Sequence, residues 1–156
     1  MKIAVSTDER THLVDTILAE LEQRGHTVTY FGPEAGAEVD WPEVTLQAAE
    51  QVACGEADEA ILMCWTGTGC TIAANKVPGI RAASCGDAET AKGARIWNHA
   101  NALSLSLRAT PEPIAKEILN AWFETPPSED EWNLRQMQRI EEIEQKYGGQ
   151  TSEGRG

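Results

Sequence analysis

The chain has 156 residues, enough for one domain with a real core, and its 41% apolar and 24% charged residues fit a soluble globular protein. A net charge of −12 argues against nucleic acid as a partner, because phosphate contacts need clustered Lys and Arg. With neither a signal peptide nor a long apolar run legible, the expectation is a cytoplasmic protein with free thiols and no membrane partner.

Residues 2–7, KIAVST, read as a short buried strand. Leu13, Val14, Ile17, Leu18 and Leu21 then recur at helical spacing, with Gly25 as the stop. TVTYFG (27–32) is a second strand, and a Gly/Pro-containing loop runs on to Trp41-Pro42. Pro42 opens a helix whose apolar face carries Val44, Ala48 and Val52. AILMC (60–64) is a third strand that ends directly on the loop W-T-G-T-G. GIRAASC (79–85) and ALSLSL (102–107) are strands four and five, with a helix from about Asp87 to Trp97 between them. Pro111 to Phe123 is a further helix, and PPS (126–128) separates it from a last one, roughly Glu129 to Tyr147. The tail GGQTSEGRG reads as disordered. There is no internal repeat, so the expected organisation is one domain over 1–147 and a tail over 148–156.

Strands alternating with helices predict an α/β domain of the doubly wound type, Rossmann-like or flavodoxin-like. Its five-stranded parallel sheet carries helices on both faces and ends in a C-terminal helix. Ligands of such folds sit at the carboxyl ends of the strands. That rule lines up Asp8, the stretch Cys64 to Cys70, and Asp87 along one rim.

Several residues on that rim suit chemistry. Gly67 and Gly69, with Thr66 and Thr68 between and beside them, let backbone N–H groups point inward ahead of a helix. Such a loop suits a phosphate or the charge of an enediolate, and it serves equally as a plain strand-to-helix turn. It is neither a Walker loop nor a G-x-G-x-x-G dinucleotide turn. Cys64 and Cys70 face this loop, and a thiol at a helix N-terminus is readily ionised, although buried thiols also serve as small apolar residues. The four cysteines (54, 64, 70 and 85) lack zinc spacing, and His12, His26 and His99 are scattered, so no metal or cofactor is expected. Arg135 and Arg139 share a helix face, where pairing with Glu131, Glu141 and Glu142 is the ordinary explanation. That helix also carries Trp132, Ile140, Ile143 and Tyr147, an apolar stripe suited to a partner subunit. Asn98 and Asn101, within R-I-W-N-H-A-N, can cap turns or donate to substrate oxygens.

The stretch T-G-T-G-C-T-I-A-A-N-K-V-P-G-I-R-A (66–82) resembles the ribose-5-phosphate isomerase B and galactose-6-phosphate isomerase group of aldose–ketose isomerases. Asp8, D-W-P (40–42), N-x-x-N (98–101) and R-x-x-x-R-I (135–140) support the resemblance, which runs from Met1 to about Tyr147. It implies cofactor-free proton transfer between C1 and C2 of an open-chain sugar phosphate through a cis-enediol. The base in one branch of the family maps onto Cys64, and in another branch, which has a glutamate, onto Cys70. Thr66 maps onto a proton-shuttling hydroxyl, Asp8 onto a holder of sugar hydroxyls, and Asn98 onto a ligand of the enediolate. Arg108, Arg135 and Arg139 map onto phosphate-binding positions, often completed by both subunits of a dimer, so the expected assembly is a homodimer, with a tetramer as the alternative.

Two family histidines are replaced, one by Glu9 after strand one and the ring-opening one by Trp97. Trp65 stands where a glycine is common. His99, His12 and Arg10 are the candidates to compensate. The changes favour a substrate other than ribose 5-phosphate, such as a four-carbon ketose phosphate that needs no ring opening. A second reading is a non-catalytic, sugar-phosphate-binding subunit of a heteromeric isomerase.

Overall fold

A computed structural model describes residues 1–148; most of the tail expected to be disordered, 149–156, lies outside the described residues. The elements run β1 (Lys2–Thr7), α1 (His12–Gln23), β2 (Thr27–Phe31), α2 (Trp41–Ala53), β3 (Glu59–Cys64) and α3 (Thr68–Ala74), followed by β4 (Ala82–Ser84), α4 (Ala88–Asn98), β5 (Ala102–Ser106), α5 (Glu112–Glu124) and α6 (Glu131–Gly148). All strand pairs are parallel, in the order β2-β1-β3-β5-β4. The chain therefore winds outward in both directions from the β1–β3 pair, and the crevice at their carboxyl ends is the topological switch point.

Alternation along the strands sorts two cores. Ile3, Val5, Ile61, Met63, Leu103 and Leu105 face α1, α4 and α5, where Trp122 is fully buried. The other face is built from small residues: Ala4, Ala60 and Ala102 of the sheet meet Ala48 and Ala49 of α2 and Ala74 of α3. Polar residues join that second face toward the carboxyl rim, with Ser6 and Ser104 each buried in the row below Cys64.

Strand β4 is shorter than the run GIRAASC suggests. Side-chain amides take over its ladder: Asn101 Oδ1 accepts from Arg81 N–H at 2.8 Å, and Asn75 exchanges two hydrogen bonds with Ala82 at 2.8 and 2.9 Å. The edge strand thus pairs with β5 on one side, and asparagine side chains hold its start and its open edge. Helix α6 rests on α4 and leaves Trp132, Leu134, Ile140, Ile143 and Tyr147 exposed. Among the described residues, no helix is long and apolar enough to cross a membrane.

Candidate active site

The loop after β3 is fixed by what its glycines permit. Gly67 has φ +75, a left-handed conformation, and a Cβ there would stand 3.0 Å from the Leu105 carbonyl carbon and the Ser106 nitrogen. The residue must be glycine both to turn the chain and to let it pass against β5. A Cβ on Gly69 would lie 3.2 Å from the Trp41 ring, so that indole covers the loop from the α2 side. The loop is tied to the segment after β5: Arg108 N–H donates to Trp65 O at 3.0 Å, and Ser106 Oγ donates to the same carbonyl at 2.9 Å.

Inside this turn the Cys64 and Cys70 sulfurs are 3.4 Å apart, a hydrogen-bonding distance between free thiols. Cys64 keeps 5% of its surface exposed and Cys70 none. The Cys70 thiol also lies 3.3 Å from Gly67 O, which accepts the Thr71 hydroxyl at 2.6 Å. The hydrogen bond from Cys70 draws the Cys64 thiol down to about 6, helped by the backbone N–H groups of Cys70 and Gly67 and opposed by burial and by Asp8. The same bond, with burial, pushes the Cys70 thiol far up. The pair therefore favours the negative charge on Cys64 and the proton on Cys70.

Asp8, across the crevice, has a carboxyl raised chiefly by burial, and its Oδ1 is buried without a partner. Ser6, Thr11 and Ser104 also carry buried hydroxyls without hydrogen bonds. Thr66 and Thr68 hydroxyls are 2.7 Å apart and exposed at the rim, as is Trp65.

A cavity of about 370 Å³ opens beside Asp8, lined by Glu9, Arg10 and the segment Gly36, Ala37, Glu38 and Val39. Arg10 is held there by Asp15 at 2.6 Å and lies 4.8 Å over the Tyr30 ring. The segment 36–39 carries no periodicity, and nothing in the sequence marks it as part of a site.

The remaining candidates lie elsewhere. Trp97, Asn98 and Arg139 line a larger groove of about 1140 Å³ between α6, α4 and the edge strand β4. Arg135 is exposed on the same α6, and Arg108 is exposed beside the thiol loop. Among the described residues none of these three arginines forms a salt bridge, so the surface pairing expected for Arg135 and Arg139 is not what holds them. His99 caps α4 with φ 47, and its Nε2 donates to Ser128 O at 2.8 Å. His12 is on the surface against Glu112, 2.9 Å away. Asn101 serves the β4 edge, as its turn-capping reading expects. Among the described residues no three His, Cys, Asp or Glu side chains are grouped to hold a metal ion.

The fold matches known proteins. The profile of the family described as Ribose/Galactose Isomerase matches residues 3–143, nearly the full chain. The chain belongs to the ribose/galactose isomerase family. Among solved structures of ribose/galactose isomerases, the ribose-5-phosphate isomerase B of Clostridium thermocellum superposes with a TM-score of 0.89 at 38% identity, covering 94% of this chain and 99% of that one. The D-erythrulose-4-phosphate isomerase of Pectobacterium atrosepticum is 39% identical over 126 residues, 80% of this chain and 83% of the relative. The ribose-5-phosphate isomerase B of Escherichia coli is 40% identical over 107 residues, 69% and 72% of the two chains. Within this ribose/galactose isomerase chain, Asp8, Cys64, Thr66, Gly67, Thr68, Gly69 and Cys70 come together at the switch point. Trp97, Asn98 and Arg139 gather instead at the α6 groove.

Proposed function

We propose that the chain is a cofactor-independent aldose–ketose isomerase of a short sugar phosphate, working through a cis-enediolate with Cys64 as its base. The observation that carries this reading is the thiol pair inside the glycine turn, with Cys64 drawn down to about 6. At neutral pH such a thiol is largely ionised and matched to proton abstraction. The Cys64 thiolate removes the carbon-bound proton at C2 of the open-chain aldose and returns it at C1. The loop N–H groups of Thr68 and Gly69, which the thiolate does not use, face the oxygen on which charge develops. Thr66, backed by Thr68, relays the hydroxyl proton between O1 and O2, and Asp8 receives the distal sugar hydroxyls through its unpaired Oδ1.

The phosphate falls to Arg108, Arg135 and Arg139, with Asn98 assisting at the enediolate. Arg135, Arg139 and Asn98 lie apart from the thiols within one chain, whereas Arg108 is beside the thiol loop, and the exposed apolar stripe of α6 needs cover. Both facts support a homodimer in which each site draws residues from two protomers.

Substrate size follows from two side chains. Trp97 stands where the family's ring-opening imidazole resides, and the His99 ring is already committed to Ser128. A four-carbon ketose phosphate needs no ring opening, and one relative is named for such a substrate. The test is an isomerisation screen of C3 to C6 aldoses, ketoses and their phosphates. A four-carbon phosphate is expected to surpass ribose 5-phosphate in kcat/KM. A preference for ribose 5-phosphate overturns the substrate assignment. Thermal stabilisation by a sugar phosphate without any isomerisation favours the non-catalytic subunit instead.

A further inference from the structure

The proposed isomerisation uses one thiol as base and the second only as that base's hydrogen-bond partner. Cys70 is fully buried, and its sulfur lies 3.4 Å from Cys64 Sγ and 3.3 Å from the Gly67 carbonyl oxygen. The other two cysteines are differently placed. Exposed Cys54 is near the Gln51 carbonyl at 3.6 Å, and buried Cys85 is near Ala83 O at 3.7 Å. Neither has a thiol among its hydrogen-bonding neighbours.

We propose that Cys64 and Cys70 form a redox-modifiable dithiol, which a small hydroperoxide oxidises to a reversible intramolecular disulfide within the active-site turn. Bringing the sulfurs from 3.4 Å to bonding distance takes about 1.4 Å of travel, and Gly67 and Gly69 lie on the connecting turn. Cys64 is the sulfur at the rim, and its 5% exposure admits a peroxide more readily than a bulky disulfide such as glutathione. Its ionised character makes it the attacking thiol.

In the first step the Cys64 thiolate attacks one peroxide oxygen, an S–O bond forms and the O–O bond breaks. Cys64 becomes a sulfenic acid, the hydroperoxide is reduced, and the departing oxygen takes a proton to leave as water or an alcohol. In the second step the Cys70 sulfur attacks the Cys64 sulfur. The S–S bond forms, the S–O bond breaks, and the hydroxyl leaves as water with the Cys70 proton. A dithiol reverses the oxidation by exchange.

Loss of isomerisation on oxidation rests on Cys64 being the base, so the test separates the two. The full chain carrying Cys54→Ser, which removes the exposed thiol, is treated with limiting hydrogen peroxide and then alkylated. Trypsin releases the peptide from Gly25 to Lys76, whose remaining cysteines are then Cys64 and Cys70. The expected product has lost two hydrogens and both alkylation sites together, and dithiothreitol restores both sites. Isomerisation falls in proportion to the crosslinked fraction and returns with reduction. A peptide carrying one or two added oxygens, with Cys70 still alkylated, overturns the proposal. A crosslinked peptide from an enzyme that keeps full activity upholds the dithiol and removes Cys64 from the role of base.

Discussion

Strand β3 begins and ends on a buried ionisable residue, and its two ends are built on opposite principles. At its start Glu59 accepts from Trp122 Nε1 at 2.6 Å and pairs with Arg95 at 2.8 Å. Arg95 also donates to Ala100 O at 2.6 Å and lies 5.0 Å over the Trp122 ring. Burial raises the Glu59 carboxyl, and the guanidinium opposes it. Both carboxylate oxygens are satisfied, and the cluster locks β3 to α4 and α5. At the other end the Cys64 thiol is drawn down by its neighbour, while Asp8, Ser6 and Ser104 hold buried polar atoms with no hydrogen bond. An unpaired buried polar group costs about 1–3 kcal/mol. A fold able to close the first cluster so completely leaves the second open, which is the mark of a rim shaped for a polar ligand.

The contrast can be broken first at the closed end. Arg95→Met strands a buried carboxylate and is expected to cost about 3–5 kcal/mol of stability by denaturant titration, with kcat per folded molecule unchanged. The Glu59 pKa is already raised, so its contribution to stability is lost as pH rises through the folded value. Removing Arg95 raises that value further. The deficit is therefore largest at neutral pH and shrinks below the ordinary carboxylate range, where both states are protonated. A deficit independent of pH would show that Arg95 acts through packing alone.

At the open end Gly67→Ala forces a left-handed alanine against the β5 backbone, at a cost of about 1–2 kcal/mol for the conformation alone. It is expected to lower kcat more than thermal stability, because in the proposed mechanism it displaces the N–H groups that stabilise the enediolate. Equal losses in both would make the turn merely structural. The activity of the unaltered enzyme carries a third signature. kcat/KM should fall about tenfold per pH unit below about 6 and level off above it, as set by the Cys64 thiolate. A limb near 8.5, the ordinary thiol range, removes the influence of Cys70. The smallest effect is at Ser104. Its hydroxyl is buried and unpaired, so Ser104→Ala should raise stability by about 1 kcal/mol in denaturant titration, and a loss of stability would show that the hydroxyl has a partner.

The sequence discloses what is local. Apolar runs mark the central strands, helical spacing marks α1 and α2, and Cys64, Gly67 and Cys70 stand within seven positions of each other. What it hides is assembled across distance. Glu59, Arg95 and Trp122 meet from three elements, and the one local hint is a glutamate opening an apolar strand. The run GIRAASC marks β4 but overstates its length, because the Arg81 N–H bonds the Asn101 side chain rather than a strand. The Arg10–Tyr30 stack and the 36–39 wall of the small cavity arise from loops without period. The division of the arginines from the thiols is visible only once α6 is seen lying on α4, far along the chain from β3.

The central claim, that Cys64 is the base, is tested most directly by carbon-bound proton exchange in deuterated water with a four-carbon sugar phosphate. Cys64→Ala and Cys70→Ala are compared with the unaltered chain by NMR. Loss of a general base typically costs about 10²–10⁴-fold, and the account predicts that loss for Cys64→Ala, with exchange persisting in Cys70→Ala. Exchange abolished in Cys70→Ala and retained in Cys64→Ala would contradict it.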